Sequence, residues 1–166
     1  MRIVCIDPGT SNTGLVYMDG GEIYAAKTIT HKDRLFKDAV TKSGKPSREI
    51  DQTKLLYRSR SIYIAIRDFL LSNPHDAVVI EGFQTFTGSG RINAYTFQTP
   101  YLCGYLNKAL EGEQLIIQTS TDVLKGVDVR ATAEAYPGGF RCTSEHTRAA
   151  ACHGIYYLRN YSRKRG

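Results

Sequence analysis

At 166 residues the chain has the length of one domain, enough to bury a sizeable core without disulfide or metal staples. Its 42% apolar and 23% charged composition is that of an ordinary folded, soluble protein, and it argues against a disordered or fibrous chain. A net charge of +6 and a pI near 9.2 suit a polyanionic partner, because Lys and Arg displace counterions from phosphates.

Alternation and apolar runs predict three short strands at residues 3–6, 13–18 and 22–27. Asp19-Gly20-Gly21 joins the last two as a hairpin, since glycine accepts the positive φ of a tight turn. The polar, basic stretch from Thr30 to Glu49, broken by Gly44 and Pro46, is expected to be a mobile loop with a short helix around residues 35–40. Residues 50–71 read as an amphipathic helix presenting Leu55, Leu56, Ile62, Tyr63, Ile66, Phe69 and Leu70, stopped by Asn73-Pro74. Ala77-Val78-Val79-Ile80 is a continuous apolar run, as in a parallel strand covered on both faces, and it ends at Glu81.

A glycine-bearing loop over residues 82–90 leads to a helix over about 93–110, a short strand over 114–118 and a helical turn over 120–126. Beyond the Tyr136-Pro137-Gly138-Gly139 break, a last helix starts behind Ser144 as N-cap and runs to about Tyr161. The order β-β-β-α-β-α-β-α describes a single α/β domain over 1–166, a mixed five-stranded sheet with helices on both faces. Element order alone leaves several α/β topologies open.

Cys5, Cys103, Cys142 and Cys152 form no C-x-x-C pair, and the cluster Cys142, His146, Cys152 and His153 matches no standard zinc spacing. Cys5 and Cys103 fall in apolar runs and are expected to be buried, and a reducing compartment fits better than a disulfide framework. Met1 opens directly on the strand-like Arg2-Ile3-Val4-Cys5-Ile6, which leaves no room for a signal segment, and no apolar stretch is of membrane-spanning length. A cytoplasmic protein without a membrane partner is the expectation.

The acidic residues carry the chemistry. Asp7 ends the first strand, held by Pro8-Gly9, and Glu81 ends the fourth. Carboxyl ends of parallel strands are where open α/β sheets gather ligands. Two carboxylates converging there repel unless a cation neutralises them. Mg²⁺ with oxygen ligands serves beside phosphates, and paired ions about 4 Å apart are one device for phosphodiester hydrolysis.

Ile6-Asp7-Pro8-Gly9-Thr10-Ser11-Asn12-Thr13-Gly14 resembles the opening D-P-G-x-x-x-T-G signature of the RuvC-type Holliday-junction resolvases, and Val79-Ile80-Glu81-Gly82-Phe83 resembles their second motif. The order of elements matches along nearly the whole chain, while strict motif identity covers the first two sites. The resemblance implies a ribonuclease H-like three-layer fold and a Mg²⁺-dependent endonuclease, with Mn²⁺ able to substitute. It implies Asp7, Glu81 and Glu145 as catalytic metal ligands, four-way or other branched DNA as substrate, and a homodimer built through the helix after Glu81. A bacterial or phage-infected host cytoplasm follows from it.

The third motif departs from the family pattern. There, two acids three residues apart, or a His and an Asp, open the last helix; here the run is Ser144-Glu145-His146-Thr147-Arg148. Glu145 fits the first acidic slot and Arg148 stands in the second, where a guanidinium can grip a phosphate but cannot ligate a cation. His146 is a proton carrier beside the leaving group in a less favoured reading, because adjacent helix positions point apart.

Phe83 and Phe86 resemble the family's junction-wedging aromatic, Lys125 a lysine near the active site, and with Arg148 these are the expected DNA contacts. Lys27, Lys32, Arg34, Lys37, Lys42, Lys45 and Arg48 around the long loop, with Arg159, Arg163, Lys164 and Arg165 in the tail, would neutralise backbone phosphates. Three other readings stay open: a branched-DNA-binding protein impaired in cleavage, favoured by Arg148; a flap or fork nuclease on the same scaffold; and an actin-like phosphate-binding hairpin, for which the chain lacks the second domain.

Overall fold

The computed structural model describes residues 1–83, 97–119, 123 and 142–163. In chain order the elements are β1 (Arg2–Asp7), β2 (Asn12–Asp19), β3 (Glu22–Thr30), β4 (Phe36–Val40), β5 (Pro46–Ile50) and α1 (Gln52–Ser72). Then come β6 (Ala77–Gly82), α2 (Gln98–Ala109), β7 (Leu115–Thr119) and α3 (Glu145–Arg163). Five strands form one sheet in the order β3-β2-β1-β6-β7. β1 runs antiparallel to β2 and parallel to β6, and β6 runs parallel to β7.

Successive side chains of a strand point to opposite faces, so the central strands feed two cores. Ile3, Cys5, Ala77 and Val79 pack with Ala150, Ala151, Cys152 and Ile155 of α3. Val4, Ile6, Val78 and Ile80 pack on the other face with Ile62, Ile66, Phe69 and Leu70 of α1 and Leu102 and Leu106 of α2. The result is the expected three-layer arrangement. Ile62 and Ile66 are fully buried, and truncating either to Ala costs about 2–5 kcal/mol.

Local chemistry sets the ends of the elements. Asp51 caps α1 by accepting from Lys54 N at 3.0 Å, and Asn73 closes it by donating to Phe69 O at 2.7 Å. The helix therefore starts two residues later than its apolar pattern suggests. Leu56, expected inside, is exposed, while Arg58 and Ser59 are buried. Gly20 and Gly21 take positive φ in the β2–β3 turn, as the hairpin requires. α3 begins directly after Ser144, whose Oγ accepts from Thr147 N at 3.1 Å, the predicted cap.

The stretch expected to be a loop with a short helix is instead the β4–β5 hairpin, an antiparallel pair with Phe36 opposite Ile50 and Val40 opposite Pro46. Its turn closes through Thr41 N to Lys45 O at 2.9 Å, with Gly44 at positive φ. The breakers Gly44 and Pro46 mark a turn and a strand start rather than a structureless segment. Residues 93–96, 120–126 apart from Val123, and 136–139 lie outside the described residues. Among those described, no helix is long and apolar enough to cross a membrane.

Candidate functional site

The register of β1 on β6 builds the site. Ile3 faces Ala77, Cys5 faces Val79 and Ile6 faces Ile80, so Asp7 and Glu81 are the next pair along adjacent parallel strands. They share the pleat parity of Cys5 and Val79, which turns both side chains to the α3 face. Their side chains meet in a hydrogen bond. Burial and the Glu81 carboxylate, with Glu145 adding a smaller contribution, push the Asp7 carboxyl up to about 8.

The opening motif explains itself locally. Thr13 Oγ1 donates to Gly9 O at 2.9 Å and closes the turn that follows Asp7. Gly14 pairs with Asp7 across β1 and β2, and a Cβ there would collide with the backbone of His146 and Thr147. Only glycine lets the start of α3 rest on the strand beside Asp7. The same turn is held from the opposite face: Thr10 Oγ1 donates to Gln98 Oε1 at 3.2 Å, and Arg58 donates to Thr10 O at 3.3 Å.

Seated there, α3 directs His146 rather than Glu145 at the carboxylates. His146 Nδ1 lies 2.8 Å from Asp7 Oδ2. Glu145 is 82% exposed, with its Oε1 3.7 Å from His146 Nε2. Adjacent helix residues diverge by about 100°, and here that divergence favours the histidine. Two turns further on, His153 is 2% exposed and stands between Gln118 and Glu81. Its Nδ1 lies 3.1 Å from Gln118 Oε1 and its Nε2 3.4 Å from Glu81 Oε2.

Gln118 faces Glu81 in the β6–β7 register, so its placement follows from the sheet. A row of polar groups therefore runs Gln118, His153, Glu81, Asp7, His146. Sequence reasoning missed His153 and Gln118. The available signal was the spacing of seven between His146 and His153, which places both on one helix face.

Other expected site residues scatter. Phe83 is exposed just past β6, and its backbone bonds the Cys103 thiol. Arg148 is half-buried one turn into α3, and its charge acts on the Cys142 thiol. Phe86 and Lys125 lie outside the described residues. All four cysteines are free and buried. Among the described residues no three His, Cys, Asp or Glu side chains form a ready-made cation cage.

No family model matches the sequence, and a search of curated proteins returns no match. Solved structures do match. Thermus thermophilus RuvC in complex with a Holliday-junction substrate aligns with a TM-score of 0.68 at 15% identity, covering 99% of this chain and 96% of that one. A second Thermus thermophilus RuvC structure gives 0.64 at 14% identity over 99% and 96% of the two chains. The yeast mitochondrial Holliday junction resolvase gives 0.51 at 9% identity, over 99% of this chain and 80% of that one. With the sheet order and the layers described above, the chain has the ribonuclease H-like fold of the RuvC-type resolvases.

Proposed function

We propose that this chain is a divalent-cation-dependent endonuclease that cuts four-way or otherwise branched DNA. One observation carries the reading: Asp7 and Glu81 converge at the ends of adjacent parallel strands, on a RuvC-like scaffold, in a chain of net charge +6. Two carboxylates in contact, one holding its proton up to about 8, form a donor pair that a hard cation fits. Mg²⁺ keeps several waters and needs only one or two carboxylates beside substrate phosphates.

Bound there, such a cation would supply activation of water and neutralisation of charge at the phosphorus. The protein's own groups do the rest. His146 fixes the Asp7 carboxylate through Oδ2, and its Nε2 is the atom placed to carry a proton outward, toward Glu145. His153, anchored on Gln118, fixes Glu81 through Oε2. Glu145 at the rim is a third oxygen donor able to turn inward. Paired cuts across a junction need two active centres, and exposed Phe97 and Tyr101 at α2 offer a face for a homodimer.

A labelled four-way junction, a replication fork and plain duplex, each incubated with the protein in Mg²⁺ and in chelator, test the reading. Paired nicks confined to branched DNA, requiring Mg²⁺ and lost in Asp7→Asn, are the expected result. Junction binding without nicks under every condition would instead establish the cleavage-impaired reading, which Arg148 in the second acidic slot favours.

A further inference from the structure

On the far side of the Asp7–Asn12 turn from the carboxylates lies a cleft of about 530 Å³. His31, Asp33, Arg34, Lys54, Tyr57, Arg58 and Ser61 line it. Three of these side chains are cations and one is an acid. We propose that this cleft is a phosphate-binding subsite for the DNA backbone, seating a phosphodiester next to the strand that enters the cutting centre. The proposal rests on the nuclease reading and names a place where its substrate is held.

Arg58 carries the argument. It is only 7% exposed, yet its hydrogen-bond partners among the described residues are neutral carbonyls, Thr10 O at 3.3 Å and Asp33 O. Among the described residues no carboxylate oxygen lies within ion-pair distance of it, and Asp33 acts on it only as a more distant charge. A buried cation without a paired anion is costly, and a phosphate supplies the missing charge. His31 adds an independent sign, since its Nε2 is buried with no hydrogen-bond partner among the described residues.

The lip is equally suited. Lys54 stands exposed in the first turn of α1, and Arg34 keeps donors beyond its exposed pairing with Asp38 at 3.3 Å. Tyr57, 65% exposed, offers a ring face to a base or sugar, which a free phosphate would not use. Arg58 also ties the cleft to the cutting centre, because Thr10 follows Asp7 by three residues, a chain span of at most about 10 Å. The cleft is thus tied to the turn that carries Asp7, and this adjacency is what makes it a place for a neighbouring phosphodiester.

The test is binding, measured apart from cleavage. Arg34→Ala with Lys54→Ala removes two surface cations without touching Arg58, and its circular dichroism and melting temperature should match wild type. Fluorescence anisotropy of a labelled four-way junction in chelator, across about 50 to 200 mM salt, gives the slope of log affinity on log salt. The double variant should lose about 2 from that slope and bind about tenfold more weakly. A charge-matched control, Arg67→Ala with Lys108→Ala, should keep the wild-type slope.

An unchanged slope in a wild type that binds junctions overturns the subsite and leaves the nuclease reading standing. Equal losses in the control also overturn it, by showing a diffuse charge effect. A wild type that binds no DNA overturns both. Saturable binding of inorganic phosphate, weakened by the variant while the junction slope stays fixed, would assign the cleft to free phosphate and overturn the DNA assignment.

Discussion

The acidic groups of the site sit in opposite surroundings. The side chains of Asp7 and Glu81 are 13% and 24% exposed, pressed together and flanked by His146 and His153, whereas that of Glu145 is 82% exposed. The first two stand at the ends of hydrogen-bonded strands whose register leaves them no other direction. Glu145 is the first residue of a helix, where one step of rotation separates a side chain facing the sheet from one facing water. The pair held by the sheet keeps a proton that a counter-ion can replace, and the carboxylate at the helix start faces water.

The strongest way to break this contrast is to remove one member of the clamped pair. Asp7→Asn keeps the shape and removes an anionic ligand. Junction cleavage should fall by at least about 10³-fold in a single-turnover assay, the scale of losing a group that acts on transition-state charge. Junction affinity measured in chelator below about pH 8 should hold, because there the Asp7 carboxyl carries its proton and the amide leaves the charge unchanged. A variant that still nicks at a tenth of the wild-type rate would remove Asp7 from the chemistry.

The clamped pair should also be visible in stability. Folding raises the Asp7 carboxyl from the ordinary aspartate value of 3.8 to about 8, so the folded state binds this proton more tightly than the unfolded chain does. The corresponding stability is present below about 4 and is lost as pH rises through about 8. In chelator, the melting temperature should fall over that window by several degrees more in wild type than in Asp7→Asn. Mg²⁺ should flatten the wild-type fall. Parallel profiles for the two proteins would show that the two carboxylates do not repel in solution.

Next in size is the histidine behind Glu81. His153→Phe fills the same buried space but cannot bridge Gln118 and Glu81. The expected loss is about 10- to 100-fold in the single-turnover rate, with a higher Mg²⁺ concentration needed for half-maximal activity. A purely structural role would lower the melting temperature and leave the Mg²⁺ dependence unchanged. His153→Asn, which restores one polar contact, should recover part of the rate.

These effects divide along the same line as what could be read from sequence. Strands, pleat and the apolar run into Glu81 are written in local patterns, so Asp7 and Glu81 could be placed before any coordinates. The fold followed from that order together with the D-P-G-x-x-x-T-G run, and Gly14 shows why the run has its last residue. The β4–β5 hairpin was hidden because its ten strand residues are half-exposed or exposed, leaving no apolar alternation to read. Arg58 carries no local signal, since its value lies in carbonyl partners 48 and 25 residues away. Helix rotation at Glu145 and His146 depends on how α3 seats against Gly14, a tertiary fact.

Glu145 gives the smallest expected effect and the sharpest reading of the comparison. If it stays in water throughout, Glu145→Gln should change the cleavage rate by less than about threefold, because an exposed charge is screened by solvent and salt. If it turns inward when DNA and cation arrive, the loss should approach that of Asp7→Asn, and the deficit should shrink at high Mg²⁺. The double variant Glu145→Gln with Arg148→Asp separates the two. Restoring a carboxylate in the second acidic slot rescues activity only where the cation draws on the start of α3, and it does nothing if Asp7 and Glu81 suffice. The rotation of one helix turn would then decide how many protein oxygens the metal receives.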